Sequence, residues 1–502
     1  MIALAGATRP AAAQSPSRDD ANAIALEVQW SHPGDTSRTT ASYQIVVNPP
    51  LRRGSPIHDA AWQSVRAMHA PLVRFVPWLP YPRLGVAELE PPTATSTSWD
   101  FTQIDPLTID FLEASRGLPV MLNFSTMPAW MWTSDARVTY PAQADSAIWT
   151  YTQGAAPRDT SMREIAGYYA RLLSWYTRGG FVDERGRRHD SGHRYDISHW
   201  EVLNEPDLEH HLSPALYTRL YDEVVGAMRT VSPRTKFGGV SLAFPGQQPE
   251  FFTYFLDPAH HARGTPVDFI TYHFYASVGN IGPDAWPPMY FRQADQFLEQ
   301  VKWIEAIRKR LSPRTQTFIN EVGSIALGHE DADKLPVFYW NLSGATYAYL
   351  FGELSRMGID GVHESQLVGY PSQFPSVSML DWNTGKGNAR YRVLELLRAH
   401  FSPGDRMVAS QSSVATTNGA GYTTVAGELA PYAYAVIGKD GRHRVLLVNR
   451  RNAAARVTVP GARGATLAYV DESTGLNPPA SRSLDADTID LSAFSVAVVT
   501  LP

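Results

Sequence analysis

Two glutamates, each at the end of an apolar, β-prone run, are the residues of this sequence best suited to chemistry. Glu205 follows the run Trp200–Asn204 and precedes Pro206, and Glu321 follows Thr317–Asn320. Two carboxyl groups that face one pocket can cleave a glycosidic bond, one as acid/base and the other as nucleophile. A charged residue at one strand end is common, so the inference depends on both glutamates meeting at one site.

The elements around the two glutamates alternate between strand and helix patterns. Seven β-type runs alternate with amphipathic helical runs from Leu72 to Leu367, and Tyr43–Val47 can supply an eighth strand. This alternation is typical of parallel βα units, and eight of them favour a closed (β/α)8 TIM barrel. A doubly wound open sheet is the alternative, and the sequence disfavours it because no glycine-rich phosphate loop follows the first strands.

In this predicted barrel, the Glu205 strand is the fourth and the Glu321 strand is the seventh. The two strands lie across the barrel from each other, and both side chains emerge at the C-terminal face, where barrel enzymes carry their active sites. Carboxyl groups about 5–5.5 Å apart indicate cleavage with retention, whereas inversion needs a wider gap that admits a water. The sequence pattern does not decide between these separations.

The chain divides into three segments. Residues 1–20 are predicted to be the remnant of a secretory signal or a disordered N-terminus, and residues 21–402 to be the catalytic barrel. Residues 403–502 carry short β-type runs, one of them Thr423–Ala426, which predict a small all-β sandwich. The strands within residues 21–48 either form a hairpin or are shared between the barrel and the β domain. The sandwich is expected to be a structural buttress rather than a carbohydrate-binding module.

Composition excludes several classes of protein. The 502 residues are 44% hydrophobic and 19% charged, and the net charge of −5 indicates neither a nucleic-acid nor a membrane partner. No apolar run is long enough to span a membrane. Because there is no cysteine, disulfides, thiolate metal sites and a cysteine nucleophile are excluded. The small apolar residues before Gln14 predict export, hence a secreted or periplasmic protein.

The chain resembles glycoside hydrolases of clan A, and most closely family 39, the β-xylosidase- and α-iduronidase-like enzymes. The resemblance covers roughly residues 43–402 and rests on these stretches: Trp200–Pro206, Phe318–Gly323, Asp268–Tyr275, Trp99–Phe101 and Ile104–Asp105. It implies an O-glycosyl hydrolase that works by a retaining double displacement, with Glu205 as acid/base and Glu321 as nucleophile. It also implies that Asn204 hydrogen-bonds the 2-hydroxyl of the sugar. In these roles the acid needs a raised pKa, and the nucleophile must stay ionised among hydrogen-bond donors.

Three residues near other strand ends are candidates to support the two glutamates. His273 and Tyr275 end the sixth strand and point to one side by alternation, so one of them is expected to donate to Glu321 or to lie near Glu205. A packed aromatic rim is the structural alternative. Arg74, in the second strand, is expected to keep Glu321 ionised, with a purely structural ion pair as the alternative.

Four further residues are candidates for contacting the sugar. Trp130 and Trp132 are expected to line the sugar subsite, with core packing as the alternative. His363 and Glu364 end the eighth strand, and one of them is expected to read a sugar hydroxyl. The long loops at 77–98 and 133–160 depart from the better-known family members and are expected to build the substrate pocket.

No cofactor and no metal is expected, and the expected partner is a carbohydrate: a plant or microbial polysaccharide, oligosaccharide or glycoside. The run His329–Asp333 superficially resembles a metal cluster and is more typical of a solvated loop. A non-catalytic carbohydrate-binding protein is the alternative function, disfavoured because a binder has no need of two facing carboxylates. A metal-dependent barrel hydrolase would carry His-x-His after the first strand, and none is found there. The sequence does not indicate the sugar, its linkage or the oligomeric state.

Overall fold

A computed structural model describes residues 23–133, 139–149, 154–279, 281–326, 335–413 and 430–502. The predicted N-terminal segment 1–20, the predicted strand Thr423–Ala426 and the run His329–Asp333 lie outside the described residues.

The helices have these bounds: α1 His58–Met68, α2 Pro82–Gly85, α3 Asp105–Ala114, α4 Arg163–Thr177, α5 Pro214–Val231, α6 Glu250–Phe255, α7 Trp286–Leu311, α8 Tyr339–Met357 and α9 Ala389–His400. The strands have these bounds: β1 Ile24–Thr36, β2 Thr40–Val46, β3 Val73–Val76, β4 Val120–Leu122, β5 Gly180–Val182, β6 Arg188–Asp190, β7 His199–Glu201, β8 Lys236–Leu242, β9 Phe269–Ser277, β10 Gln316–Ile325, β11 Gly361–Glu364, β12 Arg406–Ser413, β13 Tyr432–Ile437, β14 His443–Val448, β15 Ala455–Thr458, β16 Thr466–Val470, β17 Ala480–Ser483, β18 Thr488–Leu491 and β19 Val496–Thr500.

Eight parallel strands close the barrel that the sequence predicts. Their order is β2-β3-β4-β7-β8-β9-β10-β11, and β11 pairs with β2. The Glu205 loop therefore follows the fourth barrel strand, and Glu321 lies on the seventh. The strands are buried, as the run of β2 shows with all seven residues inside, because helices cover the outside of a parallel sheet.

The helices dock on the barrel through the apolar stripes that their periodicity predicts. In α4 the buried residues include Ile165, Tyr169, Leu172 and Tyr176, which recur at three- and four-residue spacing. Helix α5 begins at a Ser213 cap, whose side chain accepts from Leu216 N at 3.3 Å. No helix within the described residues is long and apolar enough to cross a membrane.

A second sheet of nine strands contains the predicted C-terminal β domain and also β1. In this sheet β1 pairs antiparallel with β12 and parallel with β15, so it does not form a hairpin with β2. Alternate residues of β13, β14 and β19 face two different cores. Tyr434, Leu446 and Val498 pack with the barrel helices, whereas Ala435 and Val445 face the domain's own core. The β domain therefore packs on the barrel helices with one side of these strands and on its own core with the other.

The junction between barrel and sheet also carries polar contacts. Arg356 of α8 donates to Ala433 O at 3.0 Å and to Ser410 Oγ at 2.9 Å, and its guanidinium lies over the rings of Tyr432 and Tyr434. Guanidinium groups gain from both kinds of contact.

Candidate active site

Glu205 sits in a tight turn directly after β7. Its backbone is in the left-handed region (φ 41°), as is that of Leu203 (φ 62°), and its N–H donates to Ser241 O at 2.9 Å. Non-glycine residues in this region cost roughly 1–3 kcal/mol each and are concentrated at functional sites. The turn aims the Glu205 carboxyl across the mouth of the barrel rather than out into solvent.

Glu321 reaches the same place through an irregularity in β10. The pairing register of β10 with β9 shifts between Ile319 and Glu321. Regular alternation would turn Asn320 and Glu321 to opposite faces, but both side chains contact residues inside the barrel. The shift therefore lets two consecutive side chains serve the interior.

His273 lies between the two carboxyl groups. One oxygen of each glutamate and one ring nitrogen of His273 all lie within 4.8 Å of one another. Nδ1 of His273 is 2.9 Å from Glu205 Oε1, and Nε2 is 3.0 Å from Ser241 Oγ and 3.6 Å from Glu321 Oε1. This spacing is close to the carboxyl separation of retaining glycosidases and short of the gap of about 6.5–9.5 Å that inverting enzymes need.

The surroundings of Glu321 favour its carboxylate form. Arg74 Nη1 donates to Oε1 at 2.6 Å, and the Tyr275 hydroxyl donates to Oε2 at 2.7 Å. Burial alone would raise the pKa of Glu321, but His273, Arg74 and the two hydrogen bonds outweigh it and lower the pKa.

The surroundings of Glu205 favour its protonated form. Burial raises its pKa first, and the negative charge of Glu321 adds to the rise, while the contact with His273 opposes it. The two glutamates are thus driven apart in pKa, in the directions that an acid and a nucleophile require. Burial would lower the pKa of His273, but the charges of Glu321 and Glu205 and the hydrogen bond to Glu205 raise it.

Arg74 is the hub beneath the two glutamates. It is fully buried and donates through Nε to Glu201 at 2.7 Å, through Nη1 to Gln44 Oε1 at 2.6 Å, and through Nη2 to Asn204 Oδ1 at 2.6 Å. Glu201 in turn accepts from Asn123 and, at 2.7 Å, from Asn320. The predicted contact of Arg74 with Glu321 is present, and it is part of a larger network across four strands.

A cavity of about 870 Å³ opens above this network. Its walls combine apolar and aromatic side chains with amides and carboxyls, among them Trp78, Trp149, Phe244, Phe274, Phe374, Gln44, Asn204, Glu205, Glu209, Gln247, Gln296, Gln300, Glu321 and Gln366. Trp78, Trp149 and Phe374 pack on one another, with ring centroids 5.4–6.1 Å apart. The two loops predicted to build the pocket contribute Trp78, Leu79 and Trp149.

Four candidates for sugar contacts, Trp130, Trp132, His363 and Glu364, are not part of the described cavity lining. Trp132 is buried and stacks on His210 with ring centroids 4.1 Å apart, and Trp130 packs against the core under Arg158. Both positions are those that the alternative of core packing expects.

At the end of the eighth strand, His363 and Glu364 are fully buried and do not line the cavity. His363 faces Phe318 in the floor of the barrel, and Glu364 is paired with Arg390 of α9 at 2.8 Å. The chain reaches the cavity only beyond β11, where Gln366, rather than His363 or Glu364, lines the wall.

Two residues at the site are not among those predicted from the sequence. Gln44 lies on the first barrel strand and bonds both Arg74 and, at 2.5 Å, Ser365 Oγ. Strand alternation could have placed it inward with Ser42. Glu209 lies one turn after Glu205, and its N–H donates to Glu205 O at 2.7 Å. The four-residue spacing of two glutamates after a strand was the available signal for it.

Glu205, His273 and Glu321 form a group of three potential metal ligands. The guanidinium of Arg74, 2.6 Å from Glu321, already supplies the positive charge there and opposes a second cation. The same contacts fit an acid/base and a nucleophile without conflict.

Comparison with known proteins covers both parts of the chain. A family profile for the C-terminal immunoglobulin-like domain of D-apionate lactonase matches residues 432–499. No curated protein matches the chain.

Solved structures are similar over almost the whole chain. The GH51 arabinofuranosidase from Xanthomonas axonopodis pv. citri is 13% identical, with 96% of this chain and 100% of that chain covered and a TM-score of 0.63. A glucosidase from Croceicoccus marinus is 14% identical, with 95% and 98% covered and a TM-score of 0.59. The catalytic domain of GH30 xylanase C from Talaromyces cellulolyticus is 13% identical, with 95% and 100% covered and a TM-score of 0.59.

At these identities the likeness shows a common fold, a barrel with an attached β domain. Two of these three structures carry a family number, glycoside hydrolase families 51 and 30, and both families are of clan A. The finer resemblance to family 39 is not among these findings.

Proposed function

We propose that the protein is a retaining glycoside hydrolase, with Glu205 as acid/base and Glu321 as nucleophile. One observation carries the proposal: two carboxyl groups with oppositely shifted pKa values lie within 4.8 Å of each other at the open end of the barrel. The similarity in fold to an arabinofuranosidase and a xylanase supports the same class of reaction.

In the first step, an oxygen of the Glu321 carboxylate attacks the anomeric carbon and forms a glycosyl ester. The bond from that carbon to the leaving oxygen breaks, and the Glu205 proton moves to the leaving oxygen. Arg74 and Tyr275 hold the attacking carboxylate ionised, and His273 fixes the Glu205 side chain.

In the second step, a water attacks the anomeric carbon and the Glu321 ester bond breaks. The ionised Glu205 takes the proton of that water, so both glutamates return to their starting states.

The substrate class follows from the cavity walls. The described lining offers amides, hydroxyls and aromatic faces, which suit neutral sugar rings. Its acidic side chains are Glu205, Glu209 and Glu321, and its one basic side chain, His273, is already bonded to Glu205 and Ser241. We expect purified protein to hydrolyse a neutral aryl glycoside from a panel of xyloside, arabinoside, galactoside and glucoside faster than the matching uronide. A uronide cleaved fastest would contradict this choice of substrate.

The assignment of the two glutamates is tested by removing each carboxylate. Glu321→Gln should lower turnover of an activated aryl glycoside by at least about 10³-fold, since the nucleophile is lost. Glu205→Ala should still release an activated phenol but hydrolyse the glycosyl ester slowly, and added azide should restore the rate and yield a glycosyl azide. Full activity in both variants would refute the assignment.

Two other functions predict different outcomes in these assays, and one of them has a specific observation in its support. A non-catalytic carbohydrate-binding protein would bind the sugar and turn over no glycoside. A sugar lactonase is favoured by the match of residues 432–499 to a domain of D-apionate lactonase. Such an enzyme would consume an aldonolactone with release of acid, whereas a glycosidase would be inhibited by it competitively.

Export to the periplasm or medium, which the N-terminal pattern predicts, is tested by cell fractionation.

A further inference from the structure

We infer that Glu209 is a positioning residue of the active site, one that fixes both the amide of Asn204 and the indole of Trp78 against the sugar. The inference deepens the proposed glycosidase function and rests on it. It concerns a residue that acts through its neighbours rather than on the reacting bond.

Glu209 lies within the catalytic loop itself. Its N–H donates to Glu205 O at 2.7 Å, so one backbone hydrogen bond closes the turn between the two glutamates. Both side chains line the cavity. A side chain fixed at Glu209 is therefore fixed relative to the acid/base.

One oxygen of Glu209 binds two donors from different parts of the site. Oε1 accepts from Asn204 Nδ2 at 2.7 Å and from Trp78 Nε1 at 2.7 Å. Asn204 belongs to the loop after the fourth strand, and Trp78 to the loop after the second. A single acceptor thus joins two walls of the cavity.

The bond to Glu209 determines how the Asn204 amide is turned. Its oxygen accepts from Arg74 Nη2 at 2.6 Å and from Ser241 Oγ at 3.3 Å, while its nitrogen donates to Glu209. Rotating the amide by half a turn would place donor against donor at Arg74 and acceptor against acceptor at Glu209. Arg74 and Glu209 together select one orientation.

The bond to Trp78 has a second consequence, for the aromatic wall. Trp78 packs on Trp149 and Phe374 at centroid distances of 5.9 and 6.1 Å, and Trp149 is 48% exposed. Holding the indole N–H of Trp78 fixes the inner ring of this wall, on which a sugar face can lie.

Two variants separate the effect of the hydrogen-bond acceptor at position 209 from the effect of filling the same space. Glu209→Gln keeps an amide oxygen that can accept from both Asn204 and Trp78, whereas Glu209→Leu removes the acceptor. Glu223→Leu, at an exposed glutamate of α5, is the matched control. Each is assayed with the best aryl glycoside and with its 2-deoxy analogue.

We expect wild type, Glu209→Gln and the control to discriminate alike against the 2-deoxy substrate. Glu209→Leu should lose about tenfold of that discrimination, the worth of one well-made hydrogen bond, because Asn204 no longer faces the 2-hydroxyl. Its KM should rise as well, through the loosened Trp78. Undiminished discrimination in Glu209→Leu, or an equal loss in Glu209→Gln, would overturn the inference.

Crystal structures of the two variants give a readout without turnover. Asn204 and Trp78 should keep their positions in Glu209→Gln and shift in Glu209→Leu. Unchanged positions in Glu209→Leu would overturn the inference even for an active enzyme. If no aryl glycoside is cleaved by wild type, the proposed function fails, and these structures still decide the role of Glu209.

Discussion

At the residue scale, the site shifts the pKa values of two chemically identical side chains in opposite directions. Glu321 is surrounded by donors and cationic groups, whereas Glu205 has burial and a neighbouring carboxylate. The rate should fall on the acid side as Glu321 takes up its proton and on the alkaline side as Glu205 loses its own. A bell-shaped dependence of kcat/KM on pH is expected.

Tyr275→Phe tests the acid side of this profile. The variant removes the hydroxyl that donates to Glu321 Oε2 at 2.7 Å and keeps the ring. Because that bond favours the carboxylate, its loss raises the pKa of Glu321, and the acid limb should move to higher pH. We expect kcat/KM to fall roughly 10- to 100-fold, the effect of one charge-assisted hydrogen bond. An acid limb that stays in place would mean that Tyr275 does not control Glu321.

The residues that the sequence predicts from chemistry and strand position lie together in the structure: Glu205, Glu321, Arg74, His273 and Tyr275. Sequence reasoning failed where the path of the chain beyond the strand end matters. Trp130 and Trp132 follow the third strand, yet the loop turns their rings toward the core. Glu209 depends on a tight turn with left-handed residues, which alternation does not predict.

At the scale of elements, the site is positioned by a hydrogen-bond network between several strands of the barrel. Glu201 of β7 accepts from Arg74 of β3 and from Asn320 of β10, and also from Asn123, which follows β4. Both carboxylate oxygens are occupied by donors. The register shift in β10 is needed for this, since it turns Asn320 and Glu321 inward together.

Glu201→Gln is expected to destabilise the protein strongly. One oxygen becomes an NH2 group that faces a donor, and Arg74 keeps a buried charge with one partner fewer. We expect the free energy of unfolding to fall by about 3–5 kcal/mol, as when a buried ion pair loses one member. Denaturant unfolding measures this, and Glu223→Gln at an exposed site is the control. A loss below about 1 kcal/mol, within the range of a surface change, would contradict the network.

At the scale of the whole molecule, a histidine buried inside the barrel makes the free energy of unfolding depend on pH. His363 is fully buried, and burial, with the charge of Arg74 second, lowers its pKa to about 3. In the unfolded chain the same histidine has a pKa of about 6.5. Between these values the unfolded state binds the proton and the native state does not, so stability falls as pH decreases from about 6.5.

His363→Leu should remove this contribution. A single such group gives a slope of about 1.4 kcal/mol per pH unit between the two pKa values. We therefore expect the loss of stability between pH 6.5 and 4 to be smaller in the variant, by denaturant unfolding at several pH values. An unchanged slope would show that His363 takes up its proton in the native state as readily as in the unfolded one.

The β domain depends on a strand from the other end of the sequence. The sequence predicts strands within residues 21–48, but its pattern does not reveal a pairing partner that lies more than 370 residues away, such as Ser413 for Ala25. In the nine-stranded sheet β1 is the link between β12 and β15. Trp30 also stacks on His443 of β14, with ring centroids 4.3 Å apart.

Without β1 the sheet divides into one part that ends at β12 and an antiparallel pair of strands, β15 and β18, each part with an unpaired edge. A fragment of residues 403–502 should therefore lack a cooperative thermal transition, although it contains every other strand of the sheet. Adding a peptide of residues 23–37 should restore that transition by strand addition, and a peptide with Trp30→Ala should do so less well. Circular dichroism on heating measures all three. Cooperative unfolding of the fragment by itself would show that the domain folds without β1 and that this strand is not required for its stability.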